Sequence, residues 1–127
     1  MNDKIQYWLD LAQYDLDTAQ VMLETKRYLY VGFMCHQVIE KTLKAIISSK
    51  DIIPPKIHRL SKLAQVGECY NLLSDEQKDF LDTLDPLNIT ARYPENKDKL
   101  SAILNDKVCK RIYSETGEML CYLKSML

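Results

Sequence analysis

The spacing of apolar residues along the first quarter of the chain limits the possible folds more than any other feature. Apolar side chains recur there at steps of three and four residues and polar side chains fill the opposite face, the apolar positions being Ile5, Trp8, Leu9, Ala12, Leu16, Ala19 and Leu23. This period matches the α-helix, so the segment predicts an amphipathic helix of about six turns, with Asn2 or Asp3 as its N-cap. Such a helix must bury its apolar stripe against other elements.

Two further helices are predicted in the middle of the chain. The segment from near Leu29 to about Lys50 is apolar nearly all round, which is typical of the central helix of a bundle. Ile53-Pro54-Pro55 ends it, because proline lacks the amide hydrogen and the residue before a proline avoids the helical region. A short third helix is predicted from about Leu60 to Tyr70.

The last third of the chain predicts two more helices. Ser74 and Gln77 form a capping box at the start of the fourth, and Pro86 predicts a kink or a break before the chain resumes helically towards Ala91. Tyr93-Pro94 ends this helix. The final helix begins at Ser101 or Asp106 and runs to about Met126, with an inward stripe at Val108, Ile112, Thr116, Leu120 (or Met119) and Leu123.

These elements predict an all-α fold. The connections between the helices are short or medium in length, which favours an up-and-down antiparallel bundle of four long helices plus one short helix. With 127 residues, the chain fits one compact domain, residues 1–127.

Composition excludes several classes of protein. Lys and Arg total 17 against 18 for Asp and Glu, so the net charge of -1 argues against a protein that coats nucleic acid by bulk electrostatics. The four cysteines form no C-x-x-C pair, and the two histidines complete no zinc spacing, so no metal or cofactor is expected. Free cysteines at apolar positions, no signal peptide and no long apolar run together predict a cytoplasmic protein.

Some polar residues fall where a bundle favours apolar ones. Asp15 shares a face with Trp8 and Ala12, and we expect it to be paired with an arginine or a tyrosine. On the second helix a polar strip runs at steps of three and four residues, with His36 alongside it: Gln37, Glu40, Lys41 and Lys44. The strip faces either solvent, with Glu40 and Lys44 as an ordinary i,i+4 pair, or a cleft.

Two further motifs lie outside the polar strip. His58, after the double proline, is expected to bond a backbone group or, with an oriented partner, to act in acid–base chemistry. Arg92, followed by Tyr93, either satisfies the last carbonyls of its helix or presents a fork to a phosphate. The sequence has no glycine-rich phosphate loop, no G-x-S-x-G and no Glu-x-x-His pair, so it contains no self-sufficient catalytic motif.

Taken in order, these motifs resemble the HEPN domain family. The likeness covers almost the whole chain from about Trp8 to the final helix, and it rests on Trp8, Ala12, Asp15-Leu16, Ala19, Tyr28, Phe33, Cys35-His36-Gln37, Glu40-Lys41-x-x-Lys44-Ala45, His58-x-Leu60-x-x-Leu63 and Ala91-Arg92-Tyr93-Pro94. The resemblance implies a helical bundle, often a homodimer. It also implies one of two functions: the substrate-binding partner of a minimal nucleotidyltransferase, or a metal-independent ribonuclease of a toxin–antitoxin pair.

The ribonuclease branch of the family depends on an Arg followed after four to six residues by a His. No arginine here is followed by a histidine at that spacing, since Arg27 precedes His36 by too many residues and Arg92 has no later histidine. A ribonuclease without that histidine would lack a group to move the protons of the reaction. The resemblance therefore favours a non-catalytic binding subunit for a nucleotide or RNA, with no membrane association.

By resemblance, the polar strip becomes one wall of a ligand cleft. Lys41, Lys44 and Arg92 suit phosphates, Gln37 a base or sugar edge, and Tyr93 a stacking face, with Glu40 among them. Asp15, His36 and His58 are then expected to orient these groups or to act structurally. A third interpretation makes the strip an interface with a partner or a second copy, without a small ligand.

Overall fold

A computed structural model describes residues 2–90, 93, 98–99 and 102–127, and the side chains of all of these except residues 89 and 90. This part of the chain is helical with no strand. The helices whose full bounds are described are α1 (Asp3–Glu24), α2 (Tyr28–Ser49), α3 (Leu60–Val66), α4 (Asp75–Thr90) and α5 (Asp106–Lys124), and a 3₁₀ turn spans Tyr70–Leu72. The prediction of an all-α fold is confirmed for these residues.

Helix α2 is central, as its apolar surface predicted. It packs against α1, α3, α4 and α5, most extensively against α1. Asp15 of α1 pairs with Lys41 of α2, and Trp8 of α1 lies beside Lys44. Residue numbers therefore fall along α1 as they rise along α2, which makes these two helices antiparallel. The complete up-and-down order of the bundle stays a prediction.

Three N-terminal caps place the helix starts. The Asn2 side chain accepts a hydrogen bond from the amide of Ile5 at 2.9 Å, so Asn2 is the N-cap of α1 and Asp3 is its first residue. The capping box is confirmed, because Ser74 Oγ accepts from the Gln77 amide at 3.1 Å and Gln77 Oε1 accepts from the Ser74 amide at 2.9 Å. Asn105 caps α5, which therefore starts at Asp106; Ser101 lies outside the described residues.

The C-terminal ends of α1, α2 and α3 share a local conformation. The residue after each C-cap has a positive φ: 60° at Lys26, 58° at Asp51 and 59° at Glu68. After α1, the amide of Arg27 donates to the carbonyl of Met22 at 2.7 Å. The amide of Cys69 donates to the carbonyl of Ala64 at 3.0 Å after α3. These bonds satisfy carbonyls that the helices leave free and turn the chain out of the helical path.

One predicted boundary is wrong, and one predicted alternative is absent. Helix α3 ends at Val66 and not at Tyr70, because its C-cap is Gly67 and Glu68 leaves the helical region. A kink or a break was predicted at Pro86, and helix α4 continues through this residue, so the break is absent. Proline removes one hydrogen bond to the carbonyl of Asp82, and both residues are exposed, so water can satisfy that carbonyl. Ala91 and Pro94 lie outside the described residues.

The core runs along α2. Val31, Ile39 and Ile47 are fully buried in it. At Gly32, a Cβ atom would lie 2.9 Å from Leu87 Cδ1, so glycine allows α2 and α4 to approach closely. The inward stripe of α5 is confirmed, with Val108 partly buried and these residues buried: Ile112, Thr116, Met119, Leu120 and Leu123.

Candidate functional site

The polar strip of α2 faces into the bundle. Gln37, Glu40 and Lys44 have only 8%, 4% and 8% of their surface exposed, and the side chain of Lys41 is 21% exposed. The interpretation of this strip as a solvated face is therefore wrong. An interface with a second copy that covers the strip is equally excluded for the buried residues, because the other helices of the chain already cover them. We call these residues, with His36 and the partners described below, the polar seam.

Glu40 lies at the centre of the polar seam. Its Oε1 accepts a hydrogen bond from His58 Nδ1 at 2.8 Å, and its Oε2 accepts one from Lys44 Nζ at 3.3 Å. The carboxylate is thereby compensated by two donors inside the protein. His58 does not bond a backbone group as one expectation had it. Its Nδ1 is held by a carboxylate, and its side chain is 53% exposed.

Asp15 is ion-paired with Lys41. The carboxylate side chain is 9% exposed, so the pairing is needed to offset its loss of hydration. We expected an arginine or a tyrosine as the partner, and this was wrong. The expectation that Asp15 orients a cation of the strip agrees with this contact.

Helix α4 closes the other end of the polar seam. His36, 1% exposed, places Nε2 3.3 Å from Asp85 Oδ1. The same carboxylate oxygen accepts from the amide of Leu60 at 3.1 Å, which joins α4 to the start of α3. Gln37 Nε2 donates to Asn88 Oδ1 at 3.1 Å. Asp85 thus connects three elements of the bundle.

Asp85 and Asn88 were not predicted as site residues, although the sequence carries a signal for them. Leu81 and Leu84 define the inward stripe of α4, and Asp85 and Asn88 continue it at helical spacing. Polar residues on a core stripe need partners inside the protein, which is the argument that had identified Asp15.

Lys44 also contacts an aromatic ring. Its Nζ lies 5.6 Å from the centroid of the Trp8 ring, within the range of a cation–π contact. Across the described residues, no buried side-chain nitrogen or oxygen lacks a hydrogen-bond partner. The polar seam is therefore internally satisfied, and its most accessible groups are the edge of His58 and the partly exposed Asp85 and Lys41.

An open cleft of about 830 Å³ adjoins the polar seam, and the sequence did not predict it. It lies between the start of α1 and the segment that follows α2, and its lining residues are Asn2, Asp3, Lys4, Tyr7, Trp8, Ser48, Asp51, Ile52, Ile53 and Pro54. Trp8 belongs to both features, because one part of it lines the cleft while Lys44 sits over its ring. The volume is in the range of small-molecule sites.

The structure brings together only part of the predicted site. The predicted residues of α2 form three separate paired groups: Lys41 with Asp15, Glu40 with Lys44 and His58, and Gln37 with His36. Tyr93 is 52% exposed, and Arg92 lies outside the described residues.

The buried thiols are poor nucleophiles. Burial raises the pKa of the Cys35 thiol to about 12, and it raises that of Cys109 to about 11. Burial also raises the pKa of Cys69, whereas Cys121 is exposed. None of the three buried thiols is set up to form a thiolate near neutral pH.

Two further properties hold for the part of the chain that the structure describes. No three side chains among its histidines, cysteines, aspartates and glutamates lie close enough together to hold a metal ion. None of its helices combines the length and the apolar character needed to cross a membrane.

Comparison with known proteins identifies the family. The model of the HEPN domain matches residues 5–126, nearly the whole chain. The chain therefore belongs to the HEPN domain family, which comprises nucleotide-binding and ribonuclease-type domains. No curated protein and no solved structure matched the chain in the same comparisons.

Proposed function

We propose that this chain is a non-catalytic HEPN-type subunit that pairs with a minimal nucleotidyltransferase and contributes a surface for its nucleotide or substrate. The observation that carries the proposal is the internal pairing of the polar seam. Glu40, Lys44 and Asp15 are buried and neutralised by neighbours in the same chain, so they shape a surface and do not act as free catalytic groups. The absence from the sequence of an Arg and a His at the family's ribonuclease spacing supports the same conclusion.

The ligand surface in this proposal consists of the accessible edge of the seam together with Arg92 and Tyr93. Lys41 and Arg92 bind phosphate oxygens and Tyr93 stacks on a base, whereas Gln37, buried and bonded to Asn88, supports the surface from inside. Glu40 and Lys44 do not contact the ligand in this proposal. Glu40 holds His58 in place, and Lys44 holds Glu40. The proposal includes a homodimer in the cytoplasm and an up-and-down antiparallel order of the helices.

Titration calorimetry with the four common ribonucleoside triphosphates tests the binding surface. Binding that Lys41→Ala and Arg92→Ala each weaken by at least about tenfold supports the proposal. Lys62→Ala is the matched control, because this exposed lysine lies on α3 and outside the seam. Equal affinity in all variants would remove Lys41 and Arg92 from the site. Co-purification of the chain with a minimal nucleotidyltransferase tests the pairing.

One observation favours a second function, that of a metal-independent ribonuclease in a toxin–antitoxin pair. His58 Nδ1 lies 2.8 Å from Glu40 Oε1, and a carboxylate acceptor at Nδ1 leaves Nε2 of the 53% exposed ring available to accept a proton. A histidine oriented by a carboxylate in this way is suited to general acid–base catalysis.

Incubation of structured RNA with the purified chain in EDTA separates the two functions. Cleavage by the wild type that is lost in both His58→Ala and Arg92→Ala would establish a ribonuclease and overturn the non-catalytic proposal. Intact RNA in every sample supports the binding subunit. His58→Asn serves as a further control, because its amide nitrogen stands where Nδ1 donates to Glu40 but cannot transfer protons as histidine does.

A further inference from the structure

The outer face of α1 carries a regular row of exposed apolar side chains. Tyr7, Tyr14 and Val21 are 60%, 71% and 50% exposed and are seven residues apart. Leu11 and Thr18 lie between them and are partly buried. We call these five residues the outer stripe. At 100° per residue, Tyr7, Tyr14 and Val21 point away from Ala12 and Ala19, which are fully buried against the core, and Leu11 and Thr18 lie at the edge between the two faces.

An acidic row runs beside the outer stripe with the same spacing. Its members are Asp3, Asp10, Asp17 and Glu24. Three of these carboxylates accept a hydrogen bond from a glutamine one turn earlier: Gln6 to Asp10 at 2.8 Å, Gln13 to Asp17 at 2.9 Å and Gln20 to Glu24 at 3.3 Å. The row is therefore held in place along one edge of the stripe.

This pattern suits the packing of one further helix. A row of apolar side chains repeated every seven residues stays on one face of a helix and forms the seam of helix pairs that pack side by side. The inner face of α1 is already covered, because α1 packs on α2 and α5. The outer stripe is thus a second apolar face on the same helix, directed away from the core.

The charges on α1 indicate which kind of helix would pack on the outer stripe. The exposed charged residues of α1 are four carboxylates and a single cation, Lys4. Two copies of α1 packed on each other would bring like charges together, which is unfavourable. We propose that the outer stripe docks an amphipathic helix of a partner protein whose apolar residues meet Tyr7, Tyr14 and Val21 and whose flank is basic. This surface goes beyond the proposed function, because none of its five residues belongs to the polar seam.

Designed peptides test this inference directly. One probe is a helix of about four heptads with leucine at the core positions and lysine along the flanks, and the matched probe has glutamate in place of the lysines. Fluorescence anisotropy with the full chain at low salt gives both affinities. We expect the lysine probe to bind at least about tenfold more tightly than the glutamate probe, and we expect added salt to reduce the difference.

Matched variants locate the binding face. Tyr14→Ser and the pair Asp10→Asn with Asp17→Asn should each weaken binding of the lysine probe by at least about fivefold. Tyr30→Ser on α2 and the pair Asp79→Asn with Asp82→Asn on α4 are the controls, because these residues are exposed outside α1, and they should leave the affinity unchanged. Thermal melts of all variants check that the fold is retained.

Three results would overturn the inference. The first is a lysine probe that does not bind, and the second is equal binding of both probes. The third is self-association of the chain, measured by sedimentation, that Tyr14→Ser abolishes and Tyr30→Ser does not. That result would assign the outer stripe to a second copy in place of a basic helix.

Discussion

The polar seam is centred on α2 and the outer stripe lies on α1. The seam has polar side chains in a buried place, and the stripe has apolar side chains in an exposed one. The seam places Glu40, Lys44 and Asp15 inside the bundle, whereas the stripe places Tyr7 and Tyr14 in solvent. They differ in whether the chain itself supplies the partners. Each polar group of the seam meets another within the chain, and the apolar groups of the stripe remain uncovered on their outer side.

Buried charged residues and exposed apolar residues therefore have different roles in this protein. The Asp15–Lys41 ion pair joins α1 to α2, and a shift of register between these helices would leave both charges without a partner. Exposed apolar residues in a regular row do not stabilise the isolated chain and have a use only when something covers them. Mutations should therefore affect folding in the seam and association in the stripe.

The largest expected effect is at Glu40. Glu40→Ala leaves the Lys44 ammonium buried without its carboxylate, and we expect the free energy of unfolding to fall by about 3–5 kcal/mol in urea titrations. The double variant Glu40→Leu with Lys44→Leu removes both charges and should cost less than the single change. A single variant within about 1 kcal/mol of the wild type would show that the seam is not structurally important.

Trp8 should have an intermediate effect. It is partly exposed and packs on Ile5, Leu9 and Ala45, so Trp8→Ala should cost about 1–3 kcal/mol, below the range for a fully buried tryptophan. Thermal unfolding measures this, with Tyr7→Ala as the exposed neighbour. Equal losses at the two positions would contradict the distinction between the inner and outer faces of α1.

Alkaline pH should weaken the fold through the buried thiols. The pKa of Cys35 is raised from 9.0 to about 12 in the folded chain, so between these values the unfolded chain loses a proton that the folded chain keeps. The free energy of unfolding therefore falls as the pH rises above about 9, by about 1 kcal/mol at pH 10 from this thiol alone. Urea titrations at pH 8 and at pH 10 measure the fall. Cys35→Ala should show a smaller fall, and an identical fall would assign it to other groups.

The smallest effect on folding is expected at Tyr14. Its side chain is 71% exposed, so Tyr14→Ser should change the free energy of unfolding by no more than about 0.5 kcal/mol. A fall above about 1 kcal/mol would mean that the outer stripe helps to fold the isolated chain, and the contrast with the seam would fail.

The sequence was sufficient where local rules apply. The period of three and four residues predicted α1, the capping box predicted the start of α4, and the apolar circumference of α2 predicted its central place. The sequence did not predict the end of α3, because Glu68 adopts a left-handed conformation there and glutamate does not favour that conformation. The break considered at Pro86 is also absent, and the sequence did not show this because the exposure of that turn depends on how α4 packs.

The site was predicted only in outline. The polar strip was visible because charged residues interrupt an apolar helix, but its pairing was not. Glu40 and His58 are separated by 18 positions, and Gln37 and Asn88 by 51. Contacts over such separations are set by tertiary packing, so one sequence shows that a buried polar residue needs a partner and does not show which partner it has.

The C-terminal ends of the first three helices are positions where substitutions could increase the stability of the chain. Lys26, Asp51 and Glu68 occupy a left-handed conformation that is strained for residues with a Cβ atom. Glycine at these positions would relieve that strain but would also increase the freedom of the unfolded chain, so a net gain of up to about 1 kcal/mol is expected at each. These positions are separate helix ends, so their gains should add. Such a stabilised chain would tolerate substitutions in the polar seam that unfold the natural protein.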